Sequence, residues 1–109
     1  MKELIFRQIA QNKEIKGVLR VIGKIIYYKY NDSEYAKKVI DQLKQKGAKI
    51  EFSKNNDWIR VDIFSDLEII KLGDKEINLT ESSNEQIEEF IFNFYLNQYK
   101  KLGFMVEVI

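Results

Sequence analysis

The chain has 109 residues with no Cys and no His, and its 45% apolar content suffices to bury one core without staples. Disulfide frameworks, thiolate metal sites, Ser-His or Cys-His nucleophiles and an imidazole base are thereby excluded. The formal net charge of +1 conceals an asymmetry: residues 1–54 carry 13 Lys or Arg against 6 Asp or Glu, whereas residues 55–109 carry 5 against 11.

Such a split within one small domain serves a charged binding face, a self-complementary dimer, or neutralisation inside the fold. The start, MKELIFRQIAQ, lacks the apolar run of a secretory signal, and no stretch approaches the ~20 apolar residues of a membrane helix. A cytoplasmic protein without membrane contact is expected. Lys dominates over Arg (only Arg7, Arg20 and Arg60), Ile, Asn and Tyr are plentiful and Pro is absent, the bias of an AT-rich coding source such as a low-GC bacterium, a phage or an archaeal virus.

In chain order, residues 3–16 fit a helix with Ile5, Phe6 and Ile9 on one side and Gly17 as its stop. Residues 17–30 are expected as one long strand, because Gly17 and Gly23 disfavour a helix and Ile25, Ile26, Tyr27 and Tyr28 suit a pleated surface. The stripe Ile15, Val18, Leu19, Ile22 and Ile26 also fits a helix. Asp32 and Ser33 can cap a second helix that buries Ala36, Val39, Ile40 and Leu43 and exposes Lys37, Lys38, Lys44 and Lys46.

Beyond Gly47 the period becomes two. Ile50 and Phe52, a KNND turn, then Ile59, Val61 and Ile63 read as a hairpin, and LEIIKL and KEINL, joined at Gly73-Asp74, read as another. A four-strand antiparallel run over 48–79 is expected. Ser82 with Glu85, or Ser83 with Gln86, offers a capping box for a helix that runs to about Leu102 and stops at Gly103, and FMVEVI closes the chain as a strand. This order predicts a single α+β domain over 1–109: an antiparallel sheet with two or three helices packed on it, in the order of a ferredoxin-like βαββαβ unit with an inserted hairpin and an N-terminal helix. A winged helix over 1–64 is the alternative.

On the last helix Ile87, Phe90, Ile91, Phe94, Tyr95 and Leu102 make one apolar face, and Phe92, Leu96 and Tyr99 make a second on nearly the opposite side. The second stripe is covered either by the N-terminal helix or by a partner. Trp58 begins a strand on the side opposite Ile59, Val61 and Ile63, as a contact anchor or as packing beneath a helix. Lys13, Lys16, Arg20, Lys24 and Lys29, with Tyr27, Tyr28, Tyr30 and Tyr35, form either a phosphate-tracking, base-stacking surface or an ordinary solvated face. The acids Asp57, Asp62, Asp66, Glu68, Asp74 and Glu76 alternate across strand faces and turn tips, a poor arrangement for a magnesium site and a ready negative patch. Gly17, Gly23, Gly47, Gly73 and Gly103 stand too far apart for a phosphate-binding loop.

The function expected first is a non-enzymatic module that binds another protein or a second copy of itself. Its apolar anchors would be Trp58, Phe92, Leu96 and Tyr99, oriented by Asp62, Asp66 and Glu68 or by the Lys37 and Lys38 edge. Phage or mobile-element inhibitors, immunity proteins and regulators act in this way. The alternative is a nucleic-acid-binding regulator using Arg20, Lys24, Lys29, Lys37, Lys38, Tyr28 and Tyr30, and a metal-dependent nuclease comes third. No cofactor or metal is expected.

Overall fold

Residues 2–30 form three antiparallel strands, β1 (Lys2–Ala10), β2 (Lys13–Ile22) and β3 (Ile25–Tyr30), in a computed structural model that describes residues 1–52 and 58–109. The helix expected over 3–16 does not form. Leu4 and Phe6 face inward at a period of two, and β1 gains hydrogen-bonded neighbours on both sides, β2 and the last strand. Those long-range ladders override a spacing that also fits a helix; Ile9, assigned to the helix stripe, is exposed. The first hairpin turns at Gln11-Asn12, whose φ values of 52° and 61° are the positive pair of a type I′ turn. The single strand expected over 17–30 is divided by a second two-residue turn at Gly23-Lys24, which places Ile22 opposite Ile25.

The remaining elements are α1 (Ser33–Gln45), β4 (Lys49–Phe52), β5 (Ile59–Asp62), β6 (Ile69–Leu72), β7 (Lys75–Asn78), α2 (Asn84–Lys101) and β8 (Met105–Val108). Asp32 caps α1 by accepting from the Tyr35 N–H at 2.9 Å. The capping box of α2 is Ser83 with Gln86, the second of the two expected pairs. Both helices stop in the same way: Gly47 and Gly103, each at φ 87°, let the following N–H groups of Ala48 and Phe104 return to the carbonyls of Leu43 and Tyr99.

Six strands make one sheet in the order β4-β5-β3-β2-β1-β8, and every neighbouring pair is antiparallel. The architecture is therefore the expected α+β class without the N-terminal helix: β3, α1, β4 and β5 keep the split β-α-β order of a ferredoxin-like unit, but β2 occupies the other side of β3 and the last strand pairs with β1 instead. A winged helix is likewise ruled out, since residues 1–64 hold one helix among the described residues. The run expected over 48–79 separates: β4 and β5 join the main sheet beside β3, whereas β6 and β7 make a two-stranded sheet of their own. The turn expected at KNND lies within 53–57, outside the described residues.

Both helices lie on one side of the main sheet, α2 against β1, β2 and β8 and α1 against β3 and β4. Leu4, Phe6, Leu19, Val21, Ile26 and Val61 are fully buried from the sheet, and Ile87, Ile91, Phe92 and Tyr99 meet them from α2. Each such side chain contributes about 1.5–3 kcal/mol. Phe6 stacks on Tyr99 at 4.3 Å between ring centroids, and Phe104 presents an edge to both, at 5.6 and 5.3 Å.

Gly17 is what lets Phe6 lie flat. It sits opposite Phe6 in mid-strand, and a Cβ there would collide with the Phe6 ring and with the Lys29 carbonyl oxygen. Gly17→Ala is therefore expected to destabilise the fold by about 2 kcal/mol through overpacking, read as a lowered urea midpoint. An unchanged midpoint would contradict this placement of Phe6.

Candidate functional site

With the helices on one side, the other side of the six-stranded sheet has no covering layer among the described residues, and strand register decides what it presents. One row reads Glu107, Ile5, Val18 and Lys29, and the next reads Glu3, Arg20, Tyr27, Arg60 and Glu51. Met105, Arg7 and Lys16 make a third. Trp58, just before β5, lies at the end of the first row with the Lys29 ammonium 5.7 Å from its ring centroid. The Arg20 guanidinium lies over the same ring at 4.4 Å, and its Nε is 3.3 Å from the Glu3 carboxylate. Ile5, Val18, Tyr27 and Trp58 are half-buried.

The charges of this face are largely matched across strands. Arg7 pairs with Glu14 at 3.6 Å, Arg20 with Glu3, and Arg60 with Glu51 at 3.9 Å, so all three arginines of the chain face carboxylates. Exposed pairs of this kind contribute little to stability, below about 1 kcal/mol each. Their effect is to leave a face of aromatic and aliphatic centres with a locally neutral rim.

The structure brings together residues that had been assigned to competing sites. Trp58 from the protein-contact set sits with Arg20 and Lys29 from the nucleic-acid set. Lys37 lines a groove of about 590 Å³ with Trp58 and Phe52 on the α1 side. Lys38 is exposed on α1, and Lys24 donates to the Ser65 carbonyl at 3.3 Å. Asp62 closes the turn after β5, accepting from the Ser65 N–H at 3.1 Å; burial raises its pKa, and the Ser65 hydrogen bonds outweigh this and hold it below the usual value. Asp66 is exposed and pairs with Lys49 at 3.4 Å, and Glu68 is exposed.

Five assigned apolar or aromatic residues lie on the helix side of the sheet. Phe92 and Tyr99 are 3% and 7% exposed in the core, so the second stripe of α2 is covered by the sheet and by neither an N-terminal helix nor a partner; Leu96 beside them is half-buried. Tyr28 and Tyr30 point to the helix side, because alternate residues of β3 face opposite ways. The aromatic that accompanies Arg20 and Lys29 is Tyr27, and strand parity with Lys29 is the signal that identifies it once the Gly23-Lys24 turn sets the register. Among the described residues no three carboxylates gather as a metal site would need, and Asp57 lies outside them.

Glu88 is the buried acid of α2. It accepts from the Gly23 N–H at 2.7 Å and from the Met1 ammonium at 2.8 Å, which ties the β2–β3 turn to the helix. Burial raises its pKa, but these two donors prevail and hold the carboxyl below its usual value. Five of the six tyrosines, Tyr28, Tyr30, Tyr35, Tyr95 and Tyr99, line a cleft of about 310 Å³ between α1 and α2. No family model matches this chain, and neither a curated protein nor a solved structure is significantly similar to it.

Burial holds the hydroxyls of Tyr28, Tyr30, Tyr95 and Tyr99 above the ordinary 10.0. In the unfolded chain they ionise near that value, so the stability they contribute is complete below pH 10 and is lost above it. The slope is up to about 1.4 kcal/mol per pH unit for each tyrosine. Circular dichroism and tyrosinate absorbance are therefore expected to change together in one cooperative step shortly above pH 10. Ionisation of three or more of the six phenols near pH 10 with an intact dichroism spectrum would contradict the burial.

Proposed function

We propose that the protein is a non-enzymatic binding module whose helix-free sheet face contacts another protein, with Trp58, Tyr27 and Arg20 as its anchors. The observation that carries this reading is the Arg20 guanidinium over Trp58 at 4.4 Å, within rows of half-buried Ile5, Val18 and Tyr27 that no other element covers among the described residues. Trp, Tyr and Arg are the residues that concentrate binding energy at protein interfaces, because they bury large areas with few rotors and keep a polar handle.

The charge arrangement favours a protein over a phosphate backbone. A nucleic acid gains its affinity by counterion release at free cations. Here Arg7, Arg20 and Arg60 already face Glu14, Glu3 and Glu51, and a phosphate would have to compete with carboxylates for each. A module of this kind acts by occupying another protein, as inhibitors, immunity proteins and regulators do.

Trp58 is the only tryptophan, so emission reports on its surroundings alone, the sheet face and the adjoining groove beside α1. A photo-crosslinking residue at position 29, on the sheet face, is expected to capture one discrete protein in the native cell, and one at position 38, on α1, is not. With that protein purified, Trp58→Ala is expected to weaken the complex by about 2 kcal/mol or more while leaving the amide fingerprint of the fold intact. Equal capture from both positions would refute the proposal. So would quenching of Trp58 by mixed single-stranded oligonucleotides at low salt that disappears steeply as salt rises, since it would establish the nucleic-acid reading instead.

A further inference from the structure

We propose that the outer edge of β8 docks a second copy of this chain, extending the six-stranded sheet across a two-fold axis at Val106. β8 is the last strand of the sheet, and its neighbour on the inner side is β1. The Ile109 N–H donates to the Glu3 carbonyl at 3.0 Å, so in the Leu4↔Val108 register the odd residues 105, 107 and 109 direct their backbone groups to β1. Those of Val106 and Val108 consequently point away from the sheet, toward open edge.

This edge is short and carries one charge, Glu107, but few of the other devices that guard against pairing. Met105–Val108 contains no Lys, Arg or Pro, and Leu102, Met105, Val108 and Ile109 around it are 62%, 59%, 57% and 70% exposed. The other end of the sheet is different: β4 carries Lys49 and Glu51, engaged with Asp66 and Arg60.

Symmetry and charge identify the occupant as a second copy. An antiparallel partner strand must pair residues that point to the same side of the sheet, and an offset by one residue would set helix-side against helix-free side chains. Two of the registers that satisfy this also pair three residues of β8 with β8 of the second copy. One is centred on Glu107 and puts the two Glu107 carboxylates directly opposite each other, which like-charge repulsion disfavours. The other is centred on Val106 and places Phe104 opposite Val108 and Met105 opposite Glu107 across the axis.

In the Val106-centred register the row Lys16, Arg7, Met105 continues into Glu107 of the second copy. The Glu107 Cα of the second copy would lie about two strand spacings, roughly 10 Å, from the Arg7 Cα, within the joint reach of the two side chains, and the Arg7 guanidinium, 3.6 Å from Glu14 of its own chain, would bridge the two carboxylates. Among the described residues neither Glu107 nor Lys16 has an ion pair within its own chain. A hollow of about 240 Å³, lined by Ile5, Arg7, Lys16, Met105, Val106 and Glu107, already borders the edge where the second copy's side chains would enter. The inference is independent of the Trp58 reading.

Sedimentation equilibrium with hydrogen exchange tests it. A dimer is expected whose formation slows exchange at the Val106 and Val108 amides and leaves the already bonded Glu107 amide unchanged. Val108→Pro removes an outward donor without touching the ladder to β1, and is expected to weaken the dimer at least about tenfold, or roughly 1.4 kcal/mol. Glu107→Arg is expected to weaken it as well, and the further change Arg7→Glu to restore it. Trp58→Ala leaves it unaffected. A protein that stays monomeric at millimolar concentration overturns the inference. So does a dimer that leaves the Val106 and Val108 amides unprotected, or one abolished by Trp58→Ala, which would assign self-association to the sheet face.

Discussion

The ring of Phe6 is the point on which the rest of the molecule depends. It is fully buried, it lies over Gly17 of the neighbouring strand, and it touches Tyr30 of β3, Tyr99 of α2 and Phe104 at the entry to β8. One side chain thereby joins three adjacent strands to the long helix and to the strand that closes the chain. The contact works because a glycine leaves room for a flat ring in mid-sheet, and because Phe104 presents an edge to it, Tyr30 lies tilted against it and Tyr99 stacks on it. The direction in which α2 crosses the sheet follows from that stack, and the position of β8 follows from the end of α2.

From this arrangement comes the sidedness that defines the candidate site. Tyrosines of β3, α1 and α2 meet on the helix side and form an uncharged, desolvated seam. The opposite side carries the charged members of the same strands, held in cross-strand pairs around Trp58. The charge asymmetry along the chain therefore does not collapse into internal neutralisation. Three ion pairs join the basic half to the acidic half among the described residues, Met1 with Glu88, Lys49 with Asp66 and Arg60 with Glu51, while most of the remaining pairs lie within the first half. Acidic residues of the second half lie instead largely on the β6–β7 hairpin and the start of α2, where Glu85, Glu88 and Glu89 gather beside Met1 and Lys2.

Elements with a strong local signal were legible in the sequence. α1 and α2 were marked by caps at Asp32 and Ser83 and by glycines at Gly47 and Gly103, and the hairpins by period-two alternation at Ile59, Val61 and Ile63 and by Gly73-Asp74. The first thirty residues were not legible in the same way. Ile5, Phe6 and Ile9 satisfy a helical spacing as well as Leu4 and Phe6 satisfy a strand, and the choice is made by pairing with β2 across the Gln11-Asn12 turn and with β8, which lies distant in sequence. Because side chains of a strand alternate, the same uncertainty hid the site: until the Gly23-Lys24 turn sets the register, Tyr27 cannot be separated from Tyr28 as the neighbour of Arg20.

Composition and local period by themselves established the α+β class and the absence of thiol and imidazole side chains, since those depend only on which side chains are present and how they alternate. Which face each residue occupies was decided by tertiary structure alone. Backbone pairing between distant segments sets strand parity, parity assigns Trp58, Tyr27 and Arg20 to the open side and Phe92 and Tyr99 to the core, and no local propensity encodes that assignment.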